Sequence, residues 1–414
     1  MFAPRTTPWP LVALFTAGYL APYLLPTIVG RLDSGLPLSP TQAGAVGSAL
    51  LLSSASAGFL LASRVERIGA RGLARTGLAL ALFGYGAAAV THPVPAVVLG
   101  VLVGGFGSGT ATAVAATRIA GRPDPHRTTT LGLLCVSALA GAVYLTVPHL
   151  GPGHGLPLAA IALTALAVWP ATARLPAATP LAGPGRDGNP RLPHRRHGLT
   201  LAACMLLWSL AQNSLWGVSG RIGLTQAHLT EATVGAVFAV ALGAGLLGVT
   251  GAGALGPRLG VALPIGAGTA VIAACIVLSA SATDLATFAT GEIAWNTLYP
   301  IVLSYVIGLA ASLDPRGRWA VLVGSASSLG TAAGPLTGSL LSAQAGFPVM
   351  GVVLAVGLLA LALPMTAVAL GRRHGASVET GEGAETVEVM EVVEIPLDTA
   401  EATPAAPDRL APAT

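Results

Sequence analysis

Read along its length, the chain alternates long apolar runs with short polar breaks, and the runs are nearly all of one size. Stretches near 9–29, 42–63, 73–91, 95–117, 130–148, 156–173, 199–219, 234–254, 261–281, 285–310, 319–341 and 347–370 each hold about the twenty residues that a helix needs to cross a hydrocarbon layer of about 30 Å. This pattern predicts an all-α integral membrane protein with twelve transmembrane helices. The first run has the apolarity of a secretory leader, but it is long and eleven more follow it, so it is read as retained.

The polar breaks are basic on one side only. Counted from a cytoplasmic N-terminus, the inner breaks hold Arg64, Arg67, Arg71, Arg75, Arg118, Arg122, Arg127, Arg258, Arg316 and Arg318. The long central break at 174–197, RLPAATPLAGPGRDGNPRLPHRRH, adds Arg174, Arg186, Arg191, Arg195 and Arg196. Only Arg31 and Arg221 fall on the other side. The positive-inside rule then places both termini in the cytoplasm. The Pro- and Gly-rich central break reads as a basic linker between two six-span halves, 1–173 and 198–373. Residues 374–414 carry a single arginine and a run of acids, with Glu382, Glu385, Glu388, Glu391 and Glu394 at three-residue spacing. They are expected to form a solvated, disordered cytoplasmic tail.

Composition narrows the function classes. The sequence is 53% hydrophobic and 9% charged, with a mean hydropathy of +0.74, which leaves too little polar surface for a soluble domain. A net charge of +4 raises nucleic acid as a partner, but the arginines sit in short loops between apolar runs, where lipid headgroups are the better match. Cys135, Cys204 and Cys275 all lie inside apolar runs and read as small packing residues. His149 with His154, and His194 with His197, lack a third ligand at metal-site spacing, so no metal and no cofactor are expected.

The two halves echo each other. Gly30 and Arg31 return as Gly220 and Arg221, each just after the first span of its half. Leu38, Gly44, Ala45 and Val46 return as Leu229, Gly235, Ala236 and Val237, and Arg67 and Gly69 as Arg258 and Gly260. The loop carrying Asp124, Pro125 and Arg127 returns with Asp314, Pro315 and Arg318. An even number of spans in each copy makes the repeats parallel, related by an axis along the membrane normal.

The break after the second span reads ASRVERIGAR, residues 62–71. It resembles the major facilitator superfamily signature G-x-x-x-D-R-x-G-R-[RK]: Arg67, Gly69 and Arg71 match, Glu66 replaces the Asp, and Ala62 and Ala70 replace a Gly and an Arg. With the repeat and the basic linker, residues 9–370 are identified as resembling that family. The resemblance implies two parallel six-helix repeats, alternating access, and a central cavity lined by spans one, four, seven and ten. It also implies a gating role for Glu66, Arg67, Gly69 and Arg71 against the start of the eleventh span at Trp319, in company with Asp124, Arg127, Asp314 and Arg318 of the repeated loops. There are departures. Val101 stands where many proton-coupled members carry Arg, and a G-x-x-x-G-P-like run appears in the eleventh span (Gly330, Gly334, Pro335, Gly338) and not in the fifth.

Ionisable groups inside a span cost about 2.5–3.5 kcal/mol at its centre, so each is a functional candidate. Glu292 in the tenth span is the clear case, and Trp295, Asn296 and Tyr299 follow it on one helical face. The seventh span places Trp208, Gln212 and Trp216 four residues apart with Asn213 beside them, and the first contributes Tyr19 and Tyr23. Tyr19, Tyr23, Gln212, Asn213, Trp216, Trp295, Asn296 and Tyr299 are read as cavity residues; an interfacial belt is the other reading of the aromatics, and interhelical bonding that of the amides. Glu292 is read as the proton-coupling group, because apolar surroundings favour a neutral carboxyl that can load and release a proton. The expected function is therefore secondary transport of a small-molecule substrate, neutral or cationic. It would be coupled to protons and run by a monomer in the cytoplasmic membrane, with export preferred to import by symport. A membrane-embedded enzyme would need a clustered His and Asp constellation that the sequence lacks; a sensor using the acidic tail is the third reading.

Overall fold

The computed structural model describes residues 8–175, 192–314 and 317–381, without the side chains of residues 66, 249–250, 252–259 and 372–381. The middle of the expected linker, 176–191, Arg316, and the acidic tail from 382 onward lie outside the described residues. The chain divides into two compact units, Met1–Arg372 and Arg373–Thr414, and the fold described below is that of the first.

All regular structure among the described residues is helical. The first apolar run forms two helices, α1 (Trp9–Tyr23) and α2 (Leu25–Gly35), bent by 49° at Leu24. Prolines explain the bend: Pro26 has no N–H to return to the Pro22 carbonyl one turn back. Then follow α3 (Pro40–Leu61), the single turn α4 (Val65–Ile68), α5 (Ala70–Val90), α6 (Val94–Ala120), α7 (Pro125–Thr146) and α8 (Gly155–Val168). The second half holds α9 (Arg195–Arg221), α10 (Glu231–Leu259), α11 (Ala262–Ala280), α12 (Leu285–Ser312) and α13 (Arg318–Gly381). Polar caps fix several starts. Ser39 and Gln42 form a capping box on α3, Asp124 accepts from the Arg127 N–H, Thr230 from the Thr233 N–H, and Asp284 from the Thr287 N–H.

Among the described residues ten helices are long and apolar enough to cross a membrane, or eleven if the bent pair is one crossing. Within α13 the apolar part, Arg318–Gly371, is 54 residues long, about 80 Å at 1.5 Å per residue and far more than one hydrocarbon thickness. It breaks at Gly346, whose φ of 80° and ψ of 166° lie outside the helical range and suit glycine. The outward faces carry large exposed apolar side chains such as Phe83, Leu247 and Leu363, the inverse of a water-soluble surface.

Helices pack mainly within each half, α6 against α3 and α5 in the first, α12 against α10 and α11 in the second. The halves meet along related pairs. α2 lies on α9, α7 on α10, and α3 on α13, where Gly44 and Gly47 face Ser339 and Pro335. The Leu336 N–H donates to the Ser48 hydroxyl at 2.9 Å across that last pair. Small residues at these crossings let backbones approach closely, the usual basis of helix association in lipid.

Candidate functional site

A cavity of about 1050 Å³ lies between the halves. It runs from Pro22 and Tyr23 at the α1–α2 bend and Trp216 in the last turns of α9 to Ser63, His126 and Val321, at the end of the bundle that carries the arginine-rich loops. Tyr19 and Tyr23 of α1, Asn213 and Trp216 of α9, and Trp295, Asn296 and Tyr299 of α12 all line it. Among the described residues no Asp, Glu, Lys or Arg side chain does.

Gln212 is placed differently from the sequence reading. It is fully buried behind the wall and accepts the indole N–H of Trp295. Helical geometry explains the difference: Gln212 lies about 40° to one side of Trp216 and Asn213 about 60° to the other, and it is the Asn213 side that meets the cavity. Trp208 stacks behind Tyr299, with ring centroids 5.2 Å apart. Trp295 bridges Trp216 at 5.6 Å and Tyr299 at 6.0 Å, so the second half's wall is one continuous aromatic cluster. Carbonyls near the α1–α2 bend are anchored from both halves: Trp216 of the second donates its indole N–H to Pro22 O at 3.1 Å, and the Tyr144 hydroxyl of the first donates to Tyr23 O at 2.6 Å.

Glu292 is fully buried between the cavity and the other end of the bundle. Its Oε1 lies 2.7 Å from the Ser219 hydroxyl and 2.6 Å from the Ser279 hydroxyl, while Oε2 has no hydrogen-bond partner. The Ser219 oxygen also sits 3.0 Å from Leu215 O. One hydroxyl hydrogen serves one acceptor. Where Leu215 takes it, the Ser219–Glu292 contact needs a hydrogen on the carboxyl.

The bundle end opposite the cavity mouth is closed by contacts that cross the halves. Arg31 donates from Nε to Glu231 Oε1 at 2.7 Å, and its Nη atoms reach the carbonyls of Gly151 and Gly153 at 3.0 Å and of Val147 at 3.1 Å. Arg221, its repeat counterpart, faces Asp33 with Nε to Oδ2 at 3.8 Å and lies 5.3 Å over the Phe347 ring. Each arginine thus pairs with an acid of the other half. The sequence marks the two as repeat counterparts and as exceptions to the one-sided charge, and names no partner for either. The available signal was that they are the two arginines off the basic side.

At the mouth end, Gly69 ends α4 with φ 95° and ψ 127°. Arg71 donates to Leu175 O at 2.8 Å, Arg67 is exposed, and the Glu66 side chain lies outside the described residues. Asp124 caps α7 and Arg127 is exposed beside it, while Arg318 pairs with the buried Asp314 at 2.6 Å. Trp319 is fully buried and donates to Pro193 O at 2.7 Å. Among the described residues no group of three His, Cys, Asp or Glu side chains is arranged to hold a metal ion.

No protein-family model and no curated protein matches the chain. Solved structures do. The human organic anion transporter MFSD10 (TETRAN) superposes with a TM-score of 0.65 at 15% identity, over 87% of this chain and all of that one. A mutant of the nucleoside transporter NupG superposes with a TM-score of 0.68 at 13% identity, over 87% of this chain and 99% of that one. Identities this low speak for backbone architecture alone, and the architecture they share with this chain is the major facilitator fold.

Proposed function

We propose that the chain is a secondary active transporter that carries a small organic molecule by alternating access, driven by protons, with export the favoured direction. The observation that carries this reading is the cavity between two related halves, open at one end of the bundle and shut at the other by cross-half pairs. The break at Gly346 is the turn between the last two spans, which with the bent first span gives twelve. The arginine-rich loops face the cytoplasm, so the cavity as described is inward-open, and the Arg31 end faces outward. The two six-span halves act as rocking bodies within a monomer of the cytoplasmic membrane.

Glu292 supports proton coupling by its place. It is sealed beneath the closed outer end, where a neutral carboxyl is the cheaper form. Separation of α2 from α9 would open a path from outside toward it. An aromatic wall with no Lys or Arg side chain among the described residues argues against an anionic cargo, so of the two solved transporters' cargoes, organic anion and nucleoside, the nucleoside is nearer in charge to what this wall suits. The test is flux in proteoliposomes with and without an imposed pH gradient. Glu292→Gln should abolish uphill transport while leaving exchange of solute down its own gradient; undiminished proton-driven accumulation by this variant would remove Glu292 from coupling.

A further inference from the structure

The bend between α1 and α2 has two carbonyls that side chains of other helices hold. Pro26 has no N–H for Pro22 O, which accepts from Trp216 instead. Tyr23 O accepts from the Tyr144 hydroxyl at 2.6 Å, so one phenol of α7 braces the bend. Tyr144 is buried where the halves meet. Beside its own carbonyl α7 and α10 come so close that Gly235 has no room for a Cβ, and its ring centroid lies 5.1 Å from that of Phe238. The Thr27 hydroxyl, one turn beyond Tyr23, is within hydrogen-bonding reach of the same phenol.

Glu292 approaches this phenol from the second half. Its Oε2 is buried with no hydrogen-bond partner, and the Tyr144 hydroxyl lies within electrostatic reach of the carboxyl. Of the other ionisable groups on the surrounding helices, Arg221 of α9 turns to Asp33 of α2, and Glu231 at the start of α10 pairs with Arg31. Asp284 caps α12, and Cys275 of α11 lies one turn before Ser279. Tyr144 brings a neutral O–H donor into this company. A buried carboxylate with a bare oxygen is costly, and a phenol carries a single hydrogen. That hydrogen can serve Tyr23 O or Glu292, not both. An ionised acceptor binds it about twice as strongly as a neutral one. If the phenol leaves, the Thr27 hydroxyl can bond back to Tyr23 O, four residues before it, so the carbonyl is not stranded.

We propose that Tyr144 is a positioning residue that senses the charge of Glu292. While the carboxyl is neutral, the Tyr144 hydroxyl holds Tyr23 O and with it the bend; once the carboxyl ionises, the hydroxyl turns to it and releases the bend. The coupling proton leaves from Glu292, and Tyr144 keeps its own hydrogen and changes only its acceptor. A released bend lets α2 swing with Arg31 and Asp33, the two residues that pair with the second half at the closed end. This rests on reading Glu292 as the coupling acid, and it adds the route by which a charge buried in one half reaches a bend in the other.

The test uses the full chain in lipid nanodiscs, with tyrosine carrying carbon-13 at Cζ, whose NMR shift follows the hydrogen bonding of each phenol. The sequence has six tyrosines, and the Tyr144 resonance is the one lost in Tyr144→Phe. It should move as pH rises from about 6 to 9, where exposed carboxylates are already ionised, and stay still in Glu292→Gln. A Tyr144 resonance that is constant in the parent, or that moves alike in Glu292→Gln, overturns the proposal. Spin labels at the exposed Ser34 and Thr283, on either side of the closed end, give a second readout. The open fraction of the parent should rise over the same pH range. Tyr144→Phe keeps the ring and forfeits two bonds, a stronger one to the carboxylate and a weaker one to Tyr23 O. The stronger loss decides the sign: the midpoint should move up by about one pH unit, a tenfold change in the ionisation ratio. A phenol that merely braced the bend would change the open fraction equally at every pH, so an unmoved midpoint overturns the proposal. Thr27→Val leaves the phenol in place but removes the substitute donor to Tyr23 O, and should raise the midpoint by less; no rise would sink the exchange at that carbonyl. The two readings fail separately. Loss of uphill transport in Glu292→Gln with a silent Tyr144 sinks the sensor alone, whereas a responsive Tyr144 with undiminished proton-driven accumulation in Glu292→Gln sinks the coupling role and leaves the sensor standing.

Discussion

The Arg31–Glu231 pair joins the two halves at the closed end, so its loss should tilt the balance between closed and open states. Glu231→Gln is the sharper perturbation, because it removes the charge while leaving Arg31 its three carbonyl partners at Val147, Gly151 and Gly153. A hydrogen bond between charged groups contributes about 1.5–3 kcal/mol when shielded and about 0.2–1 kcal/mol when open to water. Arg31 is buried, but the Glu231 side chain is 39% exposed, so the pair falls between these limits at about 1–2 kcal/mol. That corresponds to about a 5–30-fold shift in the closed-to-open ratio. The looser Arg221–Asp33 pair, at 3.8 Å, should move the same equilibrium by less, and Asp33→Asn with Glu231→Gln should exceed either alone. The readout is a spin-label distance between cysteines placed at the exposed Ser34 and Thr283, in protein whose Cys135, Cys204 and Cys275 have been replaced. A longer-distance population should grow in the variants. If the double variant gives the parent's distance distribution, these ion pairs do not hold the closed end.

Three further changes test separate parts. Gly69→Leu forces a branched side chain into φ 95°, a strain of about 1–3 kcal/mol, and should slow exchange flux while leaving affinity for the transported solute within about twofold; a collapse of affinity with normal exchange would remove Gly69 from gating. Gln212→Leu leaves the buried Trp295 indole N–H without an acceptor, and should weaken binding of the transported solute by at least about fivefold although Gln212 does not touch the cavity. Gln212→Glu keeps an acceptor and should restore much of that loss. Asp284 is held below the usual aspartate range, first of all by the Thr287 N–H at the start of α12, so its contribution is present above the ordinary pKa and fades as pH falls through the lowered one. Asp284→Ala should therefore lower Tm at neutral pH, with the gap to the parent narrowing in acid; a gap that widens in acid would contradict the cap.

The spans were legible because a bilayer demands about twenty apolar residues, whatever packs beside them. Even the bend was foreshadowed, since Pro22 and Pro26 cannot both sit in an unbroken α-helix without losing ladder bonds. Facing was harder to read. Gln212 and Asn213 are adjacent in sequence and chemically alike, yet one lines the cavity and the other buttresses Trp295, and 100° of helical rotation decides between them. Glu292 stood out by its cost, but the two serines that receive it come from α9 and α11 and carry no motif. The pairing of Arg31 with Glu231 spans 200 residues, and nothing local marks Glu231 as more than a helix-start acid. Gating contacts at the other end stayed beyond the sequence for a different reason: the Arg71 guanidinium is received by a backbone carbonyl, Leu175 O, and a carbonyl has no residue type to predict.

One turn of α9 links the buried acid to the closed end. Ser219 touches Glu292, Gly220 packs on Pro26 of α2, and Arg221 faces Asp33. Any motion that draws α2 away from α9 loads the last two contacts directly, and reaches the first through the adjacent backbone of α9. A charged Glu292 resists burial and a neutral one accepts it, so deprotonation should favour opening of the Arg31 end and protonation its closure. Gln at 292 mimics the neutral acid permanently. In the Ser34–Thr283 distance measurement, raising pH from about 6 to 9, a range in which exposed carboxylates are already ionised, should enlarge the open population of the parent. Glu292→Gln should stay closed across that range. The Glu231→Gln shift provides the control, since it acts on the same end through a different group and should persist in either background. An open population in Glu292→Gln that rises with pH as the parent's does would place the proton-sensitive group elsewhere and break the link through Ser219.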